Sequence, residues 1–413
     1  MTMSAPPIGI HDLSIATTHY VIDQATLARH HRVPIDKYHR GLGQEAMSVP
    51  AADEDIVTLA ATAAAPILAR HGTDKLRTVL LATESSVDQA KAAGLYLHPL
   101  IGLPHTCRVV ELKQACYSAT AALQLATGLI TRNPAEHVLV IATDIARYDL
   151  DTPAEATQGA AAVAMLVTTD PALAELHPLT GVYSTHVNDF WRPNYRTTAI
   201  VDGKLSITAY LDAARHAYTD YRSRGGRALD EFAAVCYHQP FATMAYKAHR
   251  HLLQTHDFTP TASDLDNALA DTTHYNRMIG NSYTASVYLA LASLLDHSDD
   301  LAGKPIAMLS YGSGCVAEFF TATPVAGYRT HLHSNANHNI IHARKPIDYH
   351  RYRALLTAPP NTQGDHVLPR ETNAPYRLAA INGHTRTYKA ADTGKQPERD
   401  RMGRTRLVPV DRR

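Results

Sequence analysis

Short apolar, β-branched runs alternate with alanine- and leucine-rich stretches along most of the chain, and that grammar admits few architectures: strands buried by intervening helices make an α/β fold. Residues 56–70 read as helix, Thr78 to Ala82 as strand and residues 86–100 as helix again. Arg108 to Glu111 reads as strand, Cys116 to Ile130 as a long helix, and Val138 to Ile141 and Ala161 to Thr168 as strands. A second pass follows, with helices over Asp212 to Ser223, Met244 to Leu253 and Ser282 to Leu295. Its strands are Phe232 to Tyr237, Ile306 to Ser310 and Ala317 to Thr323. In both passes a long helix leads through a charged turn to an apolar strand, a glycine-containing loop and another apolar strand: Thr120 to Val167, then Thr284 to Thr323. A duplicated unit of this kind sets two central helices back to back in one core. The division expected is an N-terminal half over 1–170, a C-terminal half over 171–389 and a loosely ordered tail over 390–413, with the helical piece Tyr349 to Leu356 on the surface.

Composition narrows function by exclusion. Lys plus Arg equals Asp plus Glu at 39 each, so no global field recruits nucleic acid or an anionic membrane, although a local basic patch can grip phosphate. Four scattered cysteines with no Cys-x-x-Cys spacing argue against a zinc ribbon or disulfide framework and point to a reducing, cytoplasmic setting. The N-terminus lacks a signal-peptide pattern, and no run of ~20 apolar residues offers a membrane span. The 25 histidines fall mostly in polar segments. His331, His333 and His338 lack a helical frame or acidic partner, so no dedicated metal site is expected.

Three residues stand at the ends of apolar runs, where an α/β sheet delivers its functional groups. Cys116 opens a helical pattern; there the helix dipole and free amides would lower a thiol from its usual pKa of about 8.5, while a buried structural cysteine fits the segment equally well. Glu84 ends Thr-Val-Leu-Leu-Ala-Thr-Glu and, if buried, gains a raised pKa suited to a general base; the other reading is an acid at the start of a helix. His238 ends Val-Cys-Tyr-His-Gln-Pro, a position that a satisfied core histidine also fills. Together a thiol, a carboxylate and an imidazole are the groups that acyl transfer followed by carbon–carbon bond formation requires.

The chain resembles 3-hydroxy-3-methylglutaryl-CoA synthases of the compact bacterial kind, within the thiolase-fold condensing enzymes. The motifs that carry the resemblance are Gly-Leu-Gly-Gln (41–44), Ala-Thr-Glu-Ser (82–85), Gln-Ala-Cys-Tyr-Ser-Ala-Thr (114–120), Val-Ile-Ala-Thr-Asp-Ile-Ala-Arg-Tyr (140–148) and Thr-Gln-Gly-Ala (157–160). Asp-Phe-Trp-Arg-Pro (189–193), Tyr-His-Gln-Pro-Phe (237–241), Tyr-Asn-Arg-Met-Ile-Gly-Asn-Ser-Tyr-Thr-Ala-Ser (275–286) and Ser-Tyr-Gly-Ser-Gly (310–314) continue it. It runs from about Ile8 to Tyr388. It implies a thiolase-like, duplicated αβαβα architecture and the joining of acetyl-CoA to acetoacetyl-CoA in the mevalonate route to isoprenoids. Cys116 is implied as the nucleophile that takes acetyl, Glu84 as the base that removes a methyl proton, and His238 as the group that orients and polarises the ketone. Asn281 is implied to hold acetoacetyl-CoA, Ser313 to offer its amide to the acetyl oxygen, and Tyr148 to sit near the acyl groups.

Lys247 and Arg192 are the candidates for the CoA phosphates. Relatives often carry more than one lysine between the catalytic histidine and the equivalent of Lys247, whereas here the stretch reads Gln-Pro-Phe-Ala-Thr-Met-Ala-Tyr. The CoA thioesters are substrates, so no cofactor is expected, and the resemblance implies a homodimer. A polyketide β-branching synthase acting on carrier-bound acetoacetyl is the nearest rival. A decarboxylating ketoacyl synthase would leave Glu84 without a purpose, and a catalytically idle thiolase-fold scaffold would not need all three groups.

Overall fold

A computed structural model describes residues 6–358 and 364–391. The tail expected over 390–413 lies almost entirely outside the described residues. Nine strands form one continuous sheet: β1 (Ile8–Thr17), β2 (Leu76–Ala82), β3 (Arg108–Leu112), β4 (His137–Ile145), β5 (Ala160–Thr169), β6 (Ala174–Ser184), β7 (Ala234–Tyr237), β8 (Ile306–Gly312) and β9 (Val316–Pro324). Six helices matter for the site: α1 (Ile56–His71), α2 (Ser118–Arg132), α3 (Gly203–Ser223), α4 (Thr243–Gln254), α5 (Ala262–Ile279) and α6 (Ser286–His297).

The spatial order is β7-β8-β9-β6-β1-β5-β4-β2-β3. From β1 outward the neighbours pair antiparallel, antiparallel, parallel and parallel; from β6 outward they pair antiparallel, antiparallel and parallel. The echo read in the sequence is therefore a structural repeat, with β1, β5, β4 and β2 answered by β6, β9, β8 and β7. Within the sheet the halves are joined through the residue pairs Gly9 with Glu175 and Ile10 with Ala174. Gly9 is required there, because a Cβ would stand 2.0 Å from the Ala174 carbonyl oxygen.

The strands of β5 and β8 are buried along nearly their whole length, as expected of strands covered on both faces. One face of each half, with Val140, Val163 and Leu80 from the first and Cys236, Met308 and Phe320 from the second, packs on α2 and α6 in a single core. The two central helices touch through a hydrogen bond between the Thr120 and Tyr288 hydroxyls at 2.8 Å. The opposite face of the first half packs on α1, and that of the second on α3 and α4. The result is five layers, helix–sheet–helix–sheet–helix, the thiolase-like order the resemblance implied.

Five elements differ from the sequence expectation. The helix expected over 86–100 is short turns over Ala93–Tyr96 and Leu97–Ile101, leaving 86–92 as loop. Strands β1 and β6 and helix α5 carry no clear apolar period, yet β1 is central. Its Asp12 is neutralised by Arg70 and His71, each at 2.7 Å, and by His333 at 3.1 Å. The helix Tyr349–Thr357 is no simple surface element: Tyr352 is 1% exposed and accepts a hydrogen bond from Gln158.

The stripe that α2 buries generates a test. Leu123 is 1% exposed and Leu125 is 53% exposed, so Leu123→Ala is expected to destabilise by about 2–5 kcal/mol and Leu125→Ala by less than about 0.5 kcal/mol in urea denaturation. Equal losses would show that the central helices do not face each other.

Candidate active site

The chain turns from β3 into α2 through Gln114, Ala115 and Cys116, and Ala115 takes a left-handed φ of 44° to make the turn. Ser118 clamps it, its hydroxyl accepting from the Gln114 amide at 2.5 Å and donating to the Ala115 carbonyl at 2.7 Å. Behind the elbow lies the turn after β8. A Cβ on Gly312 would stand 2.6 Å from both the Gln114 oxygen and the Tyr117 nitrogen, and Gln114 Nε2 donates to the Ser313 carbonyl at 3.3 Å. The duplicated halves thus press a loop from one against the thiol-bearing elbow of the other.

Cys116 is 6% exposed, and its Sγ donates to Glu84 Oε1 at 3.0 Å. The expectation of a dipole-stabilised thiolate is corrected here. The sulfur precedes the first residue of α2, and burial together with the Glu84 and Asp144 carboxylates pushes its pKa well up. Glu84, just past the end of β2, is in turn pushed up to about 8, by burial first and the Asp144 charge second. The pair is a neutral thiol bonded to a carboxyl group that gains or loses its proton near neutrality.

Asp144 holds this arrangement. It is buried near the end of β4, and its Oδ1 accepts from the Thr83 hydroxyl at 2.8 Å, the Glu84 amide at 2.9 Å and the Ser85 hydroxyl at 2.7 Å. Its Oδ2 accepts from the Thr284 hydroxyl at 2.5 Å and the Thr284 amide at 3.1 Å. Sequence reading quoted its motif without singling it out; the signal was an acid ending a buried apolar strand.

His238 follows β7 directly, its amide donating to the Leu309 carbonyl of the adjacent β8 at 2.8 Å. It is 3% exposed, burial lowers its pKa to about 3, and its Nδ1 has no protein partner. The imidazole is therefore neutral. Tyr210 donates to the His238 carbonyl at 2.8 Å. Tyr148, Tyr283, Ala146, Ala199 and Cys116 share a small apolar cluster, and Phe190 packs against it. Asn281 braces the cluster, its Nδ2 donating to the Tyr148 hydroxyl and its Oδ1 accepting from the Tyr283 amide, both at 3.0 Å. The turn carrying Ser313 is fixed by Asp189, which accepts from the Gly314 amide at 3.0 Å and the Tyr311 hydroxyl at 2.8 Å.

A cavity of about 1740 Å³ opens over this elbow, lined by Glu84, Ala115, Phe190, Arg192 and Ser313 among others. Arg192 donates to the Glu84 carbonyl at 2.9 Å. Arg147, which sequence reading missed, lines the same cavity; burial first and the Arg192 charge second lower its pKa. Lys91, Lys113, Arg196 and Arg386 line it too, beside the acids Glu54, Asp55, Asp88 and Glu111; Arg196 pairs with Asp149 and Arg386 with Asp88. Lys247 does not line this cavity; it stands exposed on α4, with its Nζ 5.1 Å from the Phe241 ring centre.

A five-layer duplicated fold with a cysteine elbow, a carboxyl partner and a buried imidazole at strand ends marks a thiolase-like protein. Comparison with known proteins narrows the class. The family profile for the N terminal region of hydroxymethylglutaryl-coenzyme A synthase matches residues 5–172, and that for the C terminal region matches residues 176–275 and 259–348. The chain is 38% identical over 386 residues to a hydroxymethylglutaryl-CoA synthase of Enterococcus faecalis, covering 92% of this chain and 99% of the relative. It is 32% identical over 335 residues to the polyketide biosynthesis 3-hydroxy-3-methylglutaryl-ACP synthase of Bacillus subtilis, covering 76% and 79%. A solved HMG-CoA synthase in complex with CoA superposes with a TM-score of 0.88 at 38% identity, covering 93% of this chain and all of that one. The HMG synthase of the curacin biosynthetic pathway, in complex with a holo donor-ACP, superposes at 0.89 with 29% identity and the same coverage. The chain belongs to the hydroxymethylglutaryl-CoA synthase family.

The raised Glu84 pKa has a thermodynamic consequence. Between about 4.5 and about 8 the native state holds a proton that the unfolded chain releases, so Glu84 makes the fold lose stability as pH rises through that window. Glu84→Gln is expected to flatten this decline in a series of Tm measurements against pH. A variant with the parental slope would place the Glu84 pKa near its ordinary value.

Proposed function

We propose that this chain condenses acetyl-CoA with acetoacetyl-CoA and water to 3-hydroxy-3-methylglutaryl-CoA and free CoA, through an acetyl thioester on Cys116, in the mevalonate route to isoprenoids. The observation that carries the reading is the Cys116 Sγ to Glu84 Oε1 hydrogen bond of 3.0 Å beside a cavity whose lining includes Arg147 and Arg192. A neutral thiol is a weak nucleophile, and its bonded carboxylate is the base it lacks. Sγ attacks the acetyl carbonyl as its proton passes to Glu84, and the departing CoA sulfur takes that proton away. The carboxylate is then free to remove a proton from the acetyl methyl group. A Glu84 pKa of about 8 makes it a far stronger base than an exposed glutamate while leaving it partly ionised near neutral pH.

The carbanion adds to the ketone carbon of acetoacetyl-CoA, and the new alkoxide needs a hydrogen-bond donor. His238 suits this role because burial keeps it neutral, so one ring N–H points at the oxygen without adding a charge that would quench Glu84. Backbone N–H of Ser313, in the turn pressed against the elbow, serves the acetyl oxygen. Water then hydrolyses the Cys116 thioester, releasing the new carboxylate and restoring the thiol. Tyr148 and Asn281 wall the acyl chamber as a bonded pair, with Asn281 keeping one amide N–H for acetoacetyl. Arg192, among the cations of the cavity wall, is proposed for the CoA phosphates, with Lys247 for their outer end. The reaction balances with no cofactor. A homodimer fits the edge strand β3, whose Val110 is 40% exposed, and the cytoplasm fits four free cysteines. Among the described residues no helix is long and apolar enough to cross a membrane.

Incubation with acetyl-CoA followed by mass spectrometry is expected to find acetyl on Cys116 in the parent and none in Cys116→Ala. Glu84→Gln should reduce overall condensation by at least about 10²-fold. No acetyl on the parent would sink the reading in favour of an idle scaffold. A second reading, action on acyl chains tethered to a carrier protein, draws on the absence of lysine between His238 and Lys247. Turnover with acetoacetyl-CoA against acetoacetyl carrier protein separates the two, and preference for the carrier by orders of magnitude would favour the second.

A further inference from the structure

Outside the cavity, the structure gathers four metal-ligating side chains from two segments. His30 and His31 end the helix Gln24–His31. Asp151 and Glu155 lie on the segment that leaves Tyr148 and returns to Gln158, whose Oε1 accepts from the Tyr148 amide at 2.8 Å. Ligand atoms of His30, His31 and Asp151 all lie within 4.8 Å of one another. His30 Nε2 is 3.7 Å from Asp151 Oδ1, and His31 Nε2 is 3.3 Å from Glu155 Oε2. A tetrahedral ion with bonds of about 2.0–2.1 Å sets its ligand atoms about 3.3–3.4 Å apart, so the His30–Asp151 separation is near that of a coordinated pair, while Glu155 stands outside the mutually close group and, of its ligand atoms, meets only that of His31.

A second observation points the same way. The Glu155 side chain is fully buried, its Oε2 faces the His31 imidazole and the Tyr352 hydroxyl lies against the same carboxyl group; a carboxylate paired with one ring nitrogen orients an imidazole for a metal at the other. Glu155 Oε2 also accepts from the Asp151 amide at 2.6 Å, which locks the two acids together, and Asp151 holds its left-handed φ of 61° in that lock. The nearby guanidinium of Arg353 engages Asp151 Oδ2 at 3.3 Å and leaves Oδ1 toward His30. Stacking of His30 on Tyr349 at 3.5 Å fixes the outer imidazole.

We propose that His30, His31 and Asp151 bind one divalent transition-metal ion of the Zn²⁺ class, with Glu155 holding the His31 ring, a site the sequence reading did not foresee. Two imidazoles with a carboxylate suit Zn²⁺; Mg²⁺ and Ca²⁺ prefer oxygen alone. The ion ties the Gln24–His31 helix to the segment 149–158, adding to the hydrogen bond from Gln24 Nε2 to the Ala156 carbonyl at 2.6 Å, and so braces the loop that carries Tyr148. The site does not depend on which acyl substrate the cavity accepts.

The test uses the full chain, stripped with a chelator and titrated with ZnCl₂ near neutral pH by calorimetry, with Co²⁺ as an optical probe. Expected are one saturable equivalent, a raised Tm, visible tetrahedral Co²⁺ bands and slower amide hydrogen exchange across 149–158. The exposed variants His30→Gln and Asp151→Asn, checked for parental circular dichroism, should each weaken that binding at least about tenfold. No saturable equivalent in the parent, or the same equivalent retained in both variants, would overturn the proposal.

Discussion

A single buried carboxylate, Asp144, ties the two halves of the molecule together at the point where the chemistry is placed. Its five hydrogen bonds reach the Thr83–Ser85 loop after β2 in the first half and Thr284, just before α6, in the second. Burial pushes the Asp144 pKa up and its five donors offset that only in part, so the charge it carries is held at a cost and is felt by Glu84, the next carboxylate. The raised Glu84 pKa comes first from burial and second from the same residue that fixes the Glu84 backbone. Position and basicity are therefore partly coupled.

The duplication explains why such a site exists at all. Each half sends a central helix into the shared core and presents loops at the same ends of its strands, so the elbow before α2 and the turn after β8 arrive at one place. Cys116 and Glu84 come from the first half and the Ser313 turn that presses on their elbow from the second, so neither half alone builds that arrangement. The Gly312 turn shows how tight the fit is, since it leaves no room for a Cβ against the elbow.

Legibility in the sequence followed the range of the forces involved. Strands buried on both faces, such as β5 and β8, announce themselves as continuous apolar runs. The elbow at Cys116 was visible as a strand running into a helix. Strand β1 was not, because Asp12 in its middle is balanced by Arg70, His71 and His333, partners remote in the chain. Helix α5 hides behind a polar face for a similar reason. The thiolate expectation failed in the same way: the helix start is local and readable, whereas the burial that overrides it first, and the two carboxylates that add to it, come from packing against other strands. Arg147 escaped notice because nothing nearby in sequence distinguishes it from a surface cation.

A neutral Cys116 is also a protective arrangement. A dipole-stabilised thiolate at the mouth of a cavity would react with any electrophile or oxidant that entered. Here the sulfur keeps its proton until a thioester carbonyl is close enough for charge to move, because Glu84 takes the proton only as the sulfur gains its bond. In the proposed reaction the proton that activates the thiol is later carried off by the CoA sulfur, so the carboxylate is restored before the methyl group needs a base. On that reading one glutamate serves two deprotonations in sequence, and the fold need bury only one strongly basic carboxylate beside Asp144 rather than two.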